Sequence, residues 1–243
     1  ARIARWTVPD PMAEKYYGVS AYVYCADNPV LLMDIDGKRT FVHDLGDGKY
    51  QVVGGKLDFN NKIYVVNADN TYKLDDKGNR ITIGRSLTKY SFFNSDKHMW
   101  ATDAIINMND QSGIEFVSSM TNELFHLGDY MEGAKKGNDY DFKNSTNNMY
   151  NGMPFNDAGI IASARDIGNF VAGYYAGANG FSWAASRIAF DLYQGGIEGV
   201  SSQSAQWIGW QHGNSRSPLQ QLYEKGKSIP SLFLFVKRNV FDR

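Results

Sequence analysis

The sequence predicts an α+β fold in which a small antiparallel β-meander precedes a mainly helical domain. Short β-branched runs with period-two alternation, such as YQVVGG, KIYVVN and ITIG, lie before residue 108, with turn sequences such as GDGK and DDKGN between them. Beyond residue 109 the apolar residues recur at helical spacing instead. We therefore divide the 243 residues into an N-terminal segment 1–38, a β-rich meander 39–108 and a mainly helical domain 109–243.

The aspartates of the meander fall within its predicted turns. Asp side chains commonly accept a hydrogen bond from the backbone two residues further on, which stabilises a turn. No spacing among these aspartates matches a calcium-binding loop. We expect them to form turns.

Four helices are predicted after the meander. The first has Asp110 or Ser112 as its N-cap, and Ser182 is the predicted N-cap of the third. A polar loop, GAKKGNDYDFKNSTNNMYNGM, separates the first helix from the others. The predicted spans are 110–127, 158–178, 182–194 and about 203–212.

Composition excludes several function classes. The net charge of −1 gives the whole chain no electrostatic bias toward nucleic acid or membrane. The longest apolar run, SLFLFV, is far too short to cross a bilayer, so we expect no stable membrane insertion. The single cysteine, Cys25, rules out an intramolecular disulfide. The first residues lack the apolar core of a signal peptide, and the absence of an initial methionine leads us to expect a piece of a longer protein.

The N-terminal segment carries a recognisable pattern. RWTVPDP, YVYCADNPV and the closing MDIDGK resemble the C-terminal end of an Rhs-repeat-associated core, the element that closes the cocoon of Rhs proteins. In that family the core marks a boundary, and a variable toxin tip follows it. The resemblance implies self-cleavage by a pair of aspartates that correspond to Asp10 and Asp34. The family has Asp-Pro at the second position, whereas this chain has Asp34-Ile35.

The remainder of the chain resembles a recurrent class of Rhs toxin tips. The shared motifs are SLTKYSFF, INMNDQSGIEF, YDFK, ASARDIGNFVAGYYAG and GFSW. YDFK and DIGN are also similar to motifs of the family called polymorphic toxin type 44, which includes predicted ribonucleases. The resemblance implies a secreted antibacterial effector that is delivered into a target cell during interbacterial competition. It also implies three partners: a cognate immunity protein, the parent Rhs cocoon and a secretion apparatus.

The stretch ARDIGNFVAGYYAG places polar side chains at the entry of a predicted helix. On a helix, Asp166, Asn169, Gly173 and Gly177 lie close to one face, and the two glycines allow a backbone or a ligand to approach closely. One interpretation is structural: Asp166 caps the helix and the glycines form a helix crossing. On this interpretation and on the next, Asp166→Asn would change helix stability by less than ~1 kcal/mol, because asparagine caps about as well as aspartate. Only the next interpretation expects this change to abolish toxicity. The other interpretation is that Arg165, Asp166 and Asn169 line a cleft opposite NDYDFK.

The polar loop offers Asp139, Asp141 and Lys143 to that cleft. Carboxylates near a lysine are typical of metal-dependent nucleases, in which they hold a divalent ion while the lysine polarises water. The same triplet also fits a solvated loop. The metal requirement therefore stays open, with a divalent ion as the candidate cofactor.

Other candidates are weaker. The four histidines lack zinc-site spacing, although His212 could act as a general base or cap a helix C-terminus. Arg187 and Asp191 are spaced for a surface ion pair.

Three functions remain open. In a ribonuclease-type hydrolase, Arg165 and Lys143 would stabilise phosphate charge, Asp166 or Asp141 would act as base or metal ligand, and Asn169 would orient the substrate. The equal numbers of cationic and anionic residues across 134–217 count against it, because proteins that grip nucleic acid usually show a basic stripe. A peptidoglycan hydrolase could use Asp141 and Asp166 as its carboxylates, with aromatic faces that bind sugar. The aromatic residues are Tyr140, Phe142, Tyr150, Trp183, Trp207 and Trp210, and the tryptophans could equally pack in a core. A non-enzymatic binding module is the third alternative.

Overall fold

The computed structural model describes residues 38–58, 60–122 and 127–216. Nine strands precede or interleave with five α-helices. Seven of the strands form a closed barrel, and β5 and β6 form a separate two-stranded ribbon. The strands are β1 Lys38–Gly46, β2 Lys49–Leu57, β3 Lys62–Val65, β4 Thr82–Ser86, β5 Phe93–Asn94, β6 Met99–Trp100, β7 Ile105–Asn107, β8 Gly152–Asn156 and β9 Ile160–Ser163.

The barrel overturns the predicted antiparallel meander. Its strand order is β1-β2-β7-β8-β9-β4-β3, and β3 pairs with β1 to close it. The pairs β1–β3, β4–β9 and β7–β8 are parallel. The meander prediction was wrong because two strands from beyond residue 150 complete the sheet. Parallel strand pairs need long connections, so local turn patterns do not reveal them. The chain is still α+β overall, with most strands before the helices.

The barrel interior is filled by the apolar face of the alternating strands. Val42, Val52, Ile63, Ile106 and Ile161 are fully buried there. Their alternation with outward-facing residues is the period-two signal seen in the sequence. Ile161 comes from β9, within a stretch that the sequence assigned to a helix.

The turns between strands use the chemistry that the sequence predicted. The side chains of Asp44, Asp69 and Asp75 accept hydrogen bonds from backbone N–H groups two residues further on. The pKa of each carboxyl is lowered. The main cause is the hydrogen bond from Gly46 N for Asp44, from the Thr71 hydroxyl for Asp69, and from Asn79 N for Asp75. The described residues contain no cluster of three or more acidic, histidine or cysteine side chains that could hold a metal ion. Turn formation by these aspartates is confirmed.

The described residues include five α-helices, of which the first and the third contact barrel strands β8 and β9. Ser182 caps the helix that begins at Trp183 by accepting a hydrogen bond from Ala185 N, which confirms the predicted cap. A single 3-10 turn, Phe142–Asn144, lies in the polar loop. No helix within the described ranges is long and apolar enough to cross a membrane. The helices are α1 Ser112–Asn122, α2 Leu127–Gly133, α3 Ala164–Ala178, α4 Trp183–Gln194 and α5 Val200–Arg216.

Helix α3 is central to the helical layer. It follows β9 without an intervening loop, and thirteen of its fifteen residues are buried. An ideal Cβ at Gly173 would lie 1.9 Å from the Gln206 carbonyl oxygen, and one at Gly209 would lie 1.9 Å from that of Phe170. The close helix crossing that the glycines of α3 predicted is therefore confirmed, and α5 is the helix that crosses there.

Candidate functional site

A buried carboxylate fixes the start of α3 to the segment that joins β4 and β5. Asp166 is fully buried, and its Oδ2 accepts hydrogen bonds from Thr88 Oγ1 at 2.8 Å and Ser91 Oγ at 2.7 Å. Its Oδ1 accepts from Arg165 Nε at 3.0 Å and Nη2 at 2.8 Å. The N-cap of α3 is Ser163, whose side chain accepts from Asp166 N. Asp166 therefore anchors the helix and orients its neighbour.

Arg165 is held in one position from three sides. Besides its bonds to Asp166, its Nη2 donates to the Tyr90 carbonyl oxygen at 2.6 Å. Its guanidinium also lies 4.9 Å from the centre of the Tyr150 ring, a cation–π distance. Burial raises the pKa of the Tyr150 phenol, and the Arg165 charge offsets part of this effect. The result is a rigid, permanently charged group.

Arg165 borders an open cavity of about 310 Å³. We call it the polar cavity: it lies between the 3-10 turn, the start of α3 and the loop from α4 to α5. Its wall includes Lys143, Arg165, Asn169 and Glu198. The structure thus brings together three residues that the sequence singled out and adds a carboxylate that it did not.

Lys143 reaches the polar cavity from the 3-10 turn. Asp141 stabilises that turn by accepting hydrogen bonds from Asn144 Nδ2 at 2.8–2.9 Å and from Gly137 N at 2.8 Å. An ideal Cβ at Gly168 would lie 3.5 Å from Lys143 N, so the turn packs closely on α3. No carboxylate among the described residues forms an ion pair with Lys143. Asp141 shapes the loop, and Lys143 supplies the charge.

Glu198 belongs to a network between α4 and α5. Its Oε2 accepts hydrogen bonds from Gln206 Nε2 at 2.7 Å and Arg187 Nη1 at 3.1 Å. Arg187 also pairs with Asp191, which in turn accepts from Glu198 N at 3.0 Å. The predicted Arg187–Asp191 pair therefore exists as part of this half-buried network, which holds the loop GGIEG in place. The sequence could have indicated Glu198, because it is an acidic residue in a glycine-rich loop between two predicted helices.

A second cavity, of about 80 Å³, adjoins the first. We call it the apolar cavity, because its wall includes the aromatic rings of Tyr140, Phe142, Phe190 and Tyr193. Lys143, Asn169, Gln194 and Glu198 border both cavities.

The other candidates lie elsewhere. His212 is exposed on α5, with Nδ1 2.9 Å from the Ile208 carbonyl oxygen, and it borders neither cavity. Asp139 also borders neither cavity. Asp10, Asp34 and Cys25 lie outside the described residues.

The tryptophans that suggested sugar binding pack against each other. The Trp207 ring lies 5.1 Å from both Trp183 and Trp210, and Trp210 Nε1 donates to the Phe181 carbonyl oxygen. This cluster joins α4 to α5 and borders neither cavity.

Comparisons with protein-family models, with curated proteins and with solved structures found no significant match to this chain.

Proposed function

We propose that this chain is a toxin domain that cleaves RNA, with the polar cavity as the site that holds the scissile phosphate. The observation that carries the proposal is the convergence of Arg165, Lys143, Asn169 and Glu198 on one open cavity. The two cations offer donors to phosphate oxygens, and the carboxylate offers a base beside them. The cavity wall carries two cations and one carboxylate, whereas residues 134–217 as a whole have no net positive charge.

The reaction that fits this set is an internal phosphoryl transfer. Glu198 accepts the proton of the RNA 2′-hydroxyl, and the 2′-oxygen attacks the adjacent phosphorus. Arg165 and Lys143 donate to the phosphoryl oxygens as negative charge builds up on them. The bond from phosphorus to the 5′-oxygen breaks, and that oxygen takes a proton from water, which recovers one from protonated Glu198. The products are a 2′,3′-cyclic phosphate and a 5′-hydroxyl, and Glu198 returns to its carboxylate form.

The geometry gives Glu198 a free oxygen for this role. Both of its hydrogen bonds from described side chains end on Oε2. Within that part of the chain Oε1 has no donor, so it is the oxygen that would face the 2′-hydroxyl. Asp166 acts indirectly in this scheme, because its carboxylate is occupied by Arg165, Thr88 and Ser91. We place it as a positioning residue.

The side chains of the polar cavity also indicate whether the reaction would use a divalent metal ion. Divalent ions such as Mg²⁺ and Ca²⁺ bind through carboxylate and carbonyl oxygens, whereas the wall of the polar cavity carries two cations and one carboxylate. Such a wall suits direct binding of phosphate. The proposal is therefore a reaction in which the chain's own side chains neutralise the phosphate.

The test uses the full chain and two matched oligoribonucleotides. We expect cleavage of the all-ribose strand, with a 2′,3′-cyclic phosphate at the new end, in buffer that contains EDTA. A strand with 2′-deoxyribose at the cleaved position should stay intact, because it lacks the nucleophile. Equal cleavage of the two strands, or none of either, would contradict the proposed reaction.

The toxin setting rests on the resemblance of the motifs to Rhs tips. In this proposal the chain is secreted with its parent Rhs cocoon and delivered into a target cell, and a cognate immunity protein covers the polar cavity. Expression with and without a periplasmic signal tests the setting. Growth should stop only with cytoplasmic expression, where RNA is present. Killing confined to the periplasm would instead indicate a cell-wall hydrolase.

A further inference from the structure

The apolar cavity has the chemistry of a site for a flat ring. Tyr140, Phe142, Phe190 and Tyr193 contribute aromatic surface to its wall, between the 3-10 turn and α4. Because Lys143, Asn169 and Glu198 border this cavity and the polar cavity alike, a ligand in one can be covalently continuous with a ligand in the other.

Hydrogen bonds fix the orientation of the Asn169 side-chain amide, which borders both cavities. Arg187 can only donate, so the Gln206 oxygen must face it, as it does. Gln206 Nε2 then faces two acceptors, Glu198 Oε2 at 2.7 Å and Asn169 Oδ1 at 3.3 Å. Because Asn169 Oδ1 accepts this hydrogen bond, Asn169 Nδ2 points away from Gln206.

Asn169 Nδ2 is therefore a donor in need of an acceptor. Asn169 is only 8% exposed, and its Nδ2 donates to no residue within the described ranges. Because the residue borders both cavities, this donor is available to a ligand there. A purely aliphatic ligand would leave it unpaired, whereas a heteroaromatic ring offers both a face for stacking and an edge that accepts.

We propose that the apolar cavity binds the nucleobase next to the scissile phosphate, with the base stacked on the aromatic wall and an acceptor on its edge bonded to Asn169 Nδ2. This inference rests on the proposed function, and it adds that the domain chooses where to cleave by reading a base.

The apolar cavity is too small to enclose a whole base, so a base would enter it only in part. A dry cavity of about 150 Å³ holds a benzene ring. The apolar cavity holds about 80 Å³, and the polar cavity adds about 310 Å³ beside it. One edge of the ring would therefore be buried, while the ribose and phosphate occupy the larger space.

The experiment is a titration of the full chain with the four nucleoside 5′-monophosphates and with ribose 5-phosphate, which lacks a base. At least one nucleotide should bind about tenfold more tightly than ribose 5-phosphate, as expected for one stacked base. Similar affinities for all five ligands would overturn the base site.

Substitutions in the apolar cavity test whether the nucleotide preference arises there. Ala189→Leu adds a side chain to the wall of the apolar cavity and should remove the advantage of the nucleotide, while the affinity for ribose 5-phosphate stays within about twofold. Ala184→Leu makes the same change on the exposed face of α4 and should keep that advantage. Tyr193→Leu removes one ring from the wall, and its partly exposed position makes it a second variant that should fold. An unchanged nucleotide preference in both cavity variants would contradict the inference.

Failure of this inference differs from failure of the proposed function. RNA cleavage without any nucleotide preference would leave the nuclease and remove the base site. Nucleotide preference without RNA cleavage would leave the base site and remove the nuclease.

Discussion

The carboxylate of Asp166 faces the Arg165 guanidinium and the hydroxyls of Thr88 and Ser91 rather than a cavity. Four hydrogen bonds end on its two oxygens, two from Arg165 and one each from Thr88 and Ser91. Hydrogen bonds to charged groups contribute more than neutral ones, and this carboxylate is fully buried. The pair therefore has a structural consequence and a functional one.

Asp166→Asn should lower both stability and activity. An asparagine amide at this site would direct an NH₂ group at donors, leaving the Arg165 charge without its partner. We expect the free energy of unfolding to fall by about 2–4 kcal/mol. This replaces the expectation of less than ~1 kcal/mol, which assumed that Asp166 was the helix cap. Urea unfolding measures the change, with Asp157→Asn in the exposed β8–β9 turn as the control. Equal stabilities of the two variants would contradict it.

Glu198→Gln should abolish RNA cleavage while the protein stays folded. Glutamine can still accept from Gln206 and Arg187 but cannot take up a proton, so the rate should fall by about 10²–10⁴-fold. Glu132→Gln is the matched control, because Glu132 is exposed and pairs only with Lys135 among the described residues. Single-turnover cleavage rates, with thermal melts of both variants, provide the readout. Wild-type rates for Glu198→Gln would remove it as the base.

Gly209→Ala should destabilise the protein through the α3–α5 crossing. The added Cβ would lie 1.9 Å from the Phe170 carbonyl oxygen, so the helices must separate, at a cost of about 1–3 kcal/mol. Gly128→Ala on α2 has open space around its Cβ and should instead stabilise by about 0.5–1 kcal/mol. Opposite shifts of the two melting temperatures are expected. A Gly209→Ala protein as stable as wild type would show that the crossing tolerates a methyl group.

Alkaline pH should unfold the protein through its buried tyrosines. Burial raises the pKa of Tyr130, Tyr150 and Tyr193 above the usual value. The unfolded chain then binds fewer protons than the folded one above about pH 10, so stability falls as pH rises through that range and is unaffected below it. Denaturant unfolding at pH 7 to 11 measures the slope. In Tyr130→Phe the free energy of unfolding should fall less steeply with pH. A slope identical to that of the wild type would show that Tyr130 does not contribute to the effect.

The sequence predicted local elements better than their assembly. Ser182 is the N-cap of α4, and the period-two runs are real strands. Ser112 is the first residue of α1, and its N–H donates to Asp110 Oδ1. The barrel was missed because Arg85 pairs with Ile160 across 75 positions, and no local pattern reports such a partner. The residues of β9 were assigned to a helix because Ile160 and Ile161 fit the helical period of the segment that follows.

Local sequence patterns also revealed only part of the candidate site. Lys143, Arg165 and Asn169 stood out because charged and amide side chains are unusual beside small-residue helices and in the loop opposite. Glu198 was passed over because its role depends on Arg187 and Gln206, which lie on different helices. Sequence reasoning finds residues with unusual chemistry, whereas the task of each residue is set by its tertiary partners.

The closed barrel also has a kinetic consequence. β2 pairs with β7, and β4 with β9, so ring closure requires contacts between residues that lie far apart along the chain. Loop-closure entropy delays such contacts, and folding rates fall as their share rises. Since α3 continues directly from β9, Arg165 and Asn169 can reach their final places only after this slow step. Stopped-flow refolding should therefore show the polar cavity forming together with the barrel in one slow phase, and its formation in an earlier phase would contradict this order.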